Sequence, residues 1–509
     1  MKKLVLSAAV AFFATASAMA QTNVDNSTQS GTGHTGTTTQ TGSDNNNLLN
    51  QSGSDHASTV DQLGDDNIAI TTQSGSGSES SINQDGDQNW ASTTQSGSNQ
   101  ASNVEQDGID NWASTTQSGN GNMSELTQDG SENIATVTQS GNNDSYLTQD
   151  GDANMATISQ TGENWSSAIQ YGNGNDATVT QSGVGNSSDL LQDGNNNTAT
   201  ISQQDGYRPL DNNTSFAEQD GNDNMLSVLQ LGTGGNSSDV LQRGNDNETK
   251  IVQNSTNTAE VTQRGNRNEA DSYQFGTNTV EITQRGNDNY AKEYARGANN
   301  STKIDQLFGN SNIANVRHTG PGAATTGSGN DVTVLQTLGN SNEAGIVQFG
   351  SDNSVDVTQS LGSRNFADVE QIGDGNTTTV LTTLGSDNDA IAFQEGDSNT
   401  ASISQSAGGF NMANVSQIGN SNTASAIQSI GNSNEIMIGQ TGDDNTATAL
   451  QMLGSNNMID IAQDGFMNMA TSTQMGSGHM ATISQTGDSH MHTGMQTGTG
   501  NTLTVTQAN

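Results

Sequence analysis

Polar and apolar residues alternate along this chain in short bursts, each closed by a glutamine and followed by a glycine. In one burst Asn89, Ala91, Thr93 and Gln95 interleave with Trp90, Ser92 and Thr94. A two-residue period puts the first set on one face and the second on the other, which predicts a β-strand of about seven residues. The same inward set recurs as Asn133, Ala135, Val137, Gln139 and as Asn154, Ala156, Ile158, Gln160. Between bursts the sequence reads x-G-x-x, with Gly86, Gly108 and Gly130 at the second position. Glycine accepts the positive φ that a tight corner needs, so strand, corner and strand are expected in succession.

The closing glutamine keeps count. Gln29, Gln40, Gln51, Gln62, Gln73, Gln84, Gln95, Gln106, Gln117, Gln128 and Gln139 follow one another at intervals of eleven. The steps then vary, mostly between ten and twelve, and the series runs on to Gln507, with Ala295, His318 and Thr382 at three of its 43 positions. Alternate corners differ: one kind carries Ser74, Ser96, Ser118 and Ser140, the other Asp85, Asp107 and Asp129. The repeating unit is therefore a pair of strands of 22 to 23 residues. Such a fixed period is the mark of a solenoid. The expected fold is all-β, a β-solenoid of about 21 strand-turn-strand coils with a cross-β, amyloid-like spacing of ~4.8 Å. Each inward Gln or Asn then lies over another in the next coil, and amides, which both donate and accept, can hydrogen-bond along the stack.

Composition by itself points elsewhere. Hydrophobic residues make up 29%, aromatics 4%, and the net charge is -41, a profile typical of disorder. Composition ignores order, and the order here is strict. So acidic a chain is not expected to bind nucleic acid. It has no cysteine, so backbone ladders and stacked side chains must hold it. Residues 1–20 read as a signal peptide: Lys2 and Lys3, an apolar run from Leu4 to Phe13, and Ala18-Met19-Ala20 as a cleavage site. No second apolar stretch follows, so a secreted product without membrane insertion is expected. A short leader at 21–28 precedes the repeats at 29–509, with loops at 204–218 and 319–335 that hold the only prolines, Pro209 and Pro321.

Reduced to its fixed points the unit is S-x5-Q-x-G-x-x-N-x-A-x3-Q, filled by Ser78, Gln84, Gly86, Asn89, Ala91 and Gln95 and repeated with Gln106, Gly108, Asn111, Ala113, Gln117 and with Gln128, Gly130, Asn133, Ala135, Gln139. This resembles the curlin repeat of the bacterial curli fibre subunits over nearly the whole chain from Gln29. The opening serine is often replaced, as by Gln100 or Asn122, and the repeats are far more numerous than is usual in that family. The resemblance implies a structural, non-enzymatic protein that polymerises with itself into extracellular amyloid fibres on the cell surface, supporting adhesion and biofilm. It also implies a curli-type secretion channel, a nucleator and a periplasmic chaperone as partners. The rival reading is a solitary exported solenoid acting as a surface-binding module, an adhesin or an ice binder through its Thr136/Thr138 and Thr178/Thr180 pairs. Gln507 is followed by Ala508 and Asn509 alone, and eight residues separate Gln21 from Gln29, so open coil ends that favour stacking are expected.

No catalytic constellation and no cofactor is expected. The Asp corners present either a Ca²⁺-binding edge or a solvated row that limits aggregation. His490 and His492 are the only close histidines. Two apolar rows are candidates for lateral contact. One is the outward stripe Ile68, Trp90, Trp112, Ile134 and Met155. The other is the corner row Leu361, Leu384, Ile430 and Leu453. The alternative reading is a wider corner packed on itself for this row, and cross-rung packing with no partner for the stripe.

Overall fold

Each burst becomes a strand because its side chains satisfy both faces at once. In the strand Trp90–Ser98 the exposure alternates residue by residue, with Ala91, Thr93 and Gln95 buried. The computed structural model describes residues 22–205, 212–232, 234–319 and 327–509. The signal peptide expected over 1–20, Pro209 and Pro321 lie outside the described residues. Among them are forty strands and no helix. Most strands pair in parallel with the strand two along the chain, as Glu79–Asp87 does with Ala101–Ile109. The long strands Met155–Tyr171, Asp176–Asp193, Glu269–Arg285 and Tyr290–Leu307 run through two arcs and pair with their immediate neighbours. Two strands thus make one turn, and about 21 turns stack into a single parallel β-solenoid.

The register matches repeat to repeat: Trp90, Ala91 and Gln95 pair with Trp112, Ala113 and Gln117. It resumes across both expanded segments, where Gln192 meets Gln219 and Gln306 meets Gln336. The interior is a narrow double layer. Leu126, Val137, Leu147 and Ile158 are fully or almost fully buried, at roughly 1.5–3 kcal/mol for each large aliphatic.

The corners need glycine for two reasons. Gly86 has φ +110, and a Cβ there would run into the carbonyl oxygen of Gly108 in the next turn. A second left-handed residue, Gln88 in the same corner and Asp110 in the next, precedes the inward asparagine; the one-glycine corner expected from sequence did not include it. From Phe308 onward one corner changes type. Leu338, Leu361, Leu384, Ala407, Ile430 and Leu453 themselves take φ near +55, and the glycine that follows is released from positive φ. A bulky residue in this region is uncommon, and six in one row mark a second, wider corner design.

Candidate functional site

The candidate site is the interior itself. Gln84 Nε2 donates to Gln106 Oε1 at 2.8 Å and to the Ile68 carbonyl at 3.1 Å. Both amide hydrogens are therefore used, and Gln84 Oε1 accepts from Gln62. Gln106, Gln128 and Gln149 continue the column at 2.8 Å. The second column runs through Gln95, Gln117 and Gln139. A buried amide left unpaired would be costly; stacking identical amides removes that cost wherever the column is unbroken.

Asparagine does a different job at the corner. Asn89 Nδ2 donates to the Gly108 carbonyl at 2.9 Å, while its Oδ1 accepts the backbone N–H of Asn111 at 3.1 Å. Asn111 and Asn133 repeat this pattern. The side chain thereby staples its own corner to the next turn. Ala91, Ala113 and Ala135 are fully buried beside it. Ser78, also buried, sits in the equivalent column of the alternate corner, where its hydroxyl finds no partner.

Histidine replaces asparagine in these columns, a substitution the sequence pattern did not disclose. His56 is buried; its Nε2 faces the Ser52 carbonyl at 3.2 Å and its Nδ1 accepts the Ser78 N–H at 3.2 Å. His479 does the same with the Met475 carbonyl and the Asn501 N–H. The network assigns the Nε2–H tautomer in both, which reproduces the donor and acceptor of the amide. His34 stacks on His56 with centroids 5.2 Å apart. His490 reaches the Thr486 carbonyl from a corner, whereas burial lowers the His492 pKa on the neighbouring strand. Among the described residues no group of three or more His, Asp or Glu converges as a metal site would require.

On the outside, Trp90 and Trp112 stack with centroids 4.8 Å apart and planes 3° from parallel. Ile68, Ile134 and Met155 continue their stripe, 36%, 40% and 45% exposed. Leu361, Leu384, Ile430 and Leu453 are more than half exposed. The acidic corner forms a column of its own, in which Asp85, Asp107, Asp129 and Asp150 are successive partners. Burial first, then repulsion from Asp107 and Asp150, raises the pKa of Asp129.

One stretch departs from the ladder. Ala295 and His318 replace two successive glutamines. Next to them Glu293 is fully buried; its Oε2 accepts from Ser272 Oγ at 2.8 Å, and burial pushes its pKa up to about 8. Burial pushes His318 down to about 4, the nearby Gln348 amide opposing only in part, and His318 Nε2 lies 2.7 Å from Thr302 Oγ1.

A family model described as the curlin associated repeat matches ten segments, which span residues 109–204, 327–360 and 362–487, just over half of the chain. A search of curated proteins returns no match.

Proposed function

Because the chain belongs to the curlin associated repeat family, whose members are structural, we propose that it is a secreted subunit. Copies of it stack end to end into extracellular amyloid fibres that serve adhesion and biofilm. The observation that carries this reading is the polarity of the ladder. Every bond between two glutamines runs toward the C-terminal end, so Gln485 gives to Gln507 and Gln29 gives to Gln51. At one end of the described stack Gln496 and Gln507 offer amide hydrogens along the axis; at the other, Gln29 and Gln40 offer amide oxygens. The strands Thr502–Ala508 and Val24–Thr32 each pair on one edge only among the described residues, and an open edge is a template for a further strand. Because the 43 positions divide as 22 and 21, a second copy added head to tail and turned by half a coil continues both columns, Gln496 to Gln29 and Gln507 to Gln40.

The test is electron microscopy with fibre diffraction on purified protein in physiological buffer. Long fibrils with a meridional spacing of ~4.7–4.8 Å are expected. Stable rods of roughly 100 Å, about 21 turns at ~4.8 Å each, that never elongate would overturn the proposal and favour a solitary surface-binding solenoid.

A further inference from the structure

The acidic corner column changes sign partway along the rod. After Asp150 it passes Tyr171, Asp193 and Asp220, and its next three members are Arg243, Arg264 and Arg285. Nine of the thirteen Lys and Arg residues fall between Arg243 and Arg317, against nine acids, so a neutral belt interrupts a chain of net charge -41. The parallel register spaces the arginines one turn apart, the same spacing that separates Asp107, Asp129 and Asp150. Both sets lie on one corner of the solenoid, and the residue that follows each is a glycine.

Of these six residues, Arg243 alone is ion-paired among the described residues. Among the described residues Asp107, Asp129, Asp150 and Arg264 form no ion pair. Arg243 is shared between Glu218 at 3.0 Å and Asp220 at 3.8 Å and stays nearly half exposed. Arg285 lies over the Phe308 ring at 6.0 Å with its Nε unpartnered. A row of like charges one turn apart repels itself, a contribution that adds to burial in raising the Asp129 pKa, and a facing row of opposite charge at the same spacing relieves both rows.

We propose that this corner pairs two copies of the chain side by side, antiparallel about a twofold axis at the Asp193 turn. Arg243, Arg264 and Arg285 of one copy then face Asp150, Asp129 and Asp107 of the other. Counting turns from the axis places each arginine opposite its aspartate, and the twofold doubles the set to six pairs. A closed, self-complementary contact of this kind is the usual symmetry of a homodimer. Tyr171 comes opposite Asp220, where its hydroxyl can donate, and the one like-charge meeting, Asp193 with its copy, falls on the axis. Single exposed ion pairs contribute little; here rigid backbone ladders hold six in a common register. The proposal shares with the fibre reading only the choice of a second copy as partner. It concerns the side of the rod and not its ends.

The experiment compares three full-length proteins by sedimentation before assembly and by filament width afterwards: wild type, Arg243→Glu/Arg264→Glu/Arg285→Glu, and Asp107→Lys/Asp129→Lys/Asp150→Lys. At low salt the wild type is expected at twice the chain mass, or as double-width filaments. It should fall to single mass or width near 1 M NaCl, where screening acts within about 3 Å. Each variant alone should be single, and an equal mixture of the two should pair again, a rescue that a merely misfolded variant would not give. A single-width wild type at low salt, variants that still pair, or a mixture that stays apart overturns the proposal. Pairing that occurs only after polyphosphate is added also overturns it and assigns the arginine column to a polyanion. Paired rods that never elongate would sink the fibre reading and leave this one standing.

Discussion

From Gln29 to Gln274 one glutamine column runs without a gap; over the next two turns the same column holds Ala295 and His318 before it resumes at Gln348. The second column has one such break, at Thr382. The difference shows that the ladder is directional. On the donor side of each break little is lost: Gln274 Nε2 keeps the Thr258 carbonyl and Gln359 Nε2 keeps those of Glu343 and Asn365. On the acceptor side, Gln348 Oε1 and Gln405 Oε1, the first amides after the breaks, meet no donor at hydrogen-bonding distance. A missing rung thus strands one buried oxygen on its far side.

The largest effect is expected where the column is intact. Gln84→Ala with Gln106→Ala removes two adjacent rungs, strands Gln128 Oε1 and opens a cavity. A loss of roughly 3–6 kcal/mol follows, about 1–3 from the stranded polar group and the remainder from the cavity. Gln348→Ala, at a site whose oxygen is already without a donor, should cost less than Gln84→Ala alone. Urea midpoints of the soluble rods measure both. Equal costs at Gln84 and Gln348, each of which donates to the next amide, would break the comparison, because the bond that Gln84 accepts and Gln348 lacks would then carry no share of the stability. Fibre growth of the double variant should slow in parallel.

The broken stretch also carries the two largest pKa shifts among the described residues. Glu293 has a folded pKa of about 8 against an ordinary 4.5, so the stabilisation it gives when protonated is complete below about 4.5 and is lost as pH rises toward 8. His318, at about 4 against an ordinary 6.5, stabilises fully above about 6.5 and loses this as pH falls toward 4. Between about 4.5 and 6.5 the two slopes oppose each other; from about 6.5 to 8 Glu293 acts alone. Stability is therefore expected to fall there by up to about 1.4 kcal/mol per pH unit. Glu293→Gln keeps an acceptor for Ser272 Oγ and should flatten that slope. An undiminished slope in the variant would assign the response to other groups. His318→Gln should extend the decline down to about pH 4.5.

The periodic part of this molecule was legible because one residue type fixes each position. Spacing alone located the strands, the inward faces and the acidic row, since Gln84, Asn89 and Ala91 do the same work in every turn. What escaped was where one chemistry stands in for another. The sequence marks Ala295, His318 and Thr382 as exceptions, but not which neighbour their absence strands. His56 in place of asparagine looks like a stray titratable group until its two nitrogens are seen to copy an amide's donor and acceptor. The left-handed leucines at 361, 384 and 453 look like an inserted apolar residue, and only the backbone shows that they take over the positive φ of the glycine. Glu293 resembles the chain's other acids in sequence; parallel register alone puts it between Ser272 and Val316 in the interior.

The smallest expected effect is also the most direct repair. Thr382 is buried with its hydroxyl unpartnered; it sits one turn after Gln359 and one before Gln405. In Thr382→Gln, Nε2 reaches the oxygen of Gln405 and Oε1 takes the Gln359 hydrogen that otherwise goes to the Asn365 carbonyl, which closes the column. The neighbouring turns already hold glutamine at this position, so the interior has the width for it. Satisfying a stranded acceptor contributes about 1–3 kcal/mol, and ordering a glutamine side chain costs up to about 1.5–2, so a net gain of at most about 1 kcal/mol is expected. Thermal melting should move upward by a few degrees or less, because a long chain unfolds with a large entropy. A fall in stability would mean that the turn around Thr382 is too narrow for an amide, and that the break is a fitted feature of the core.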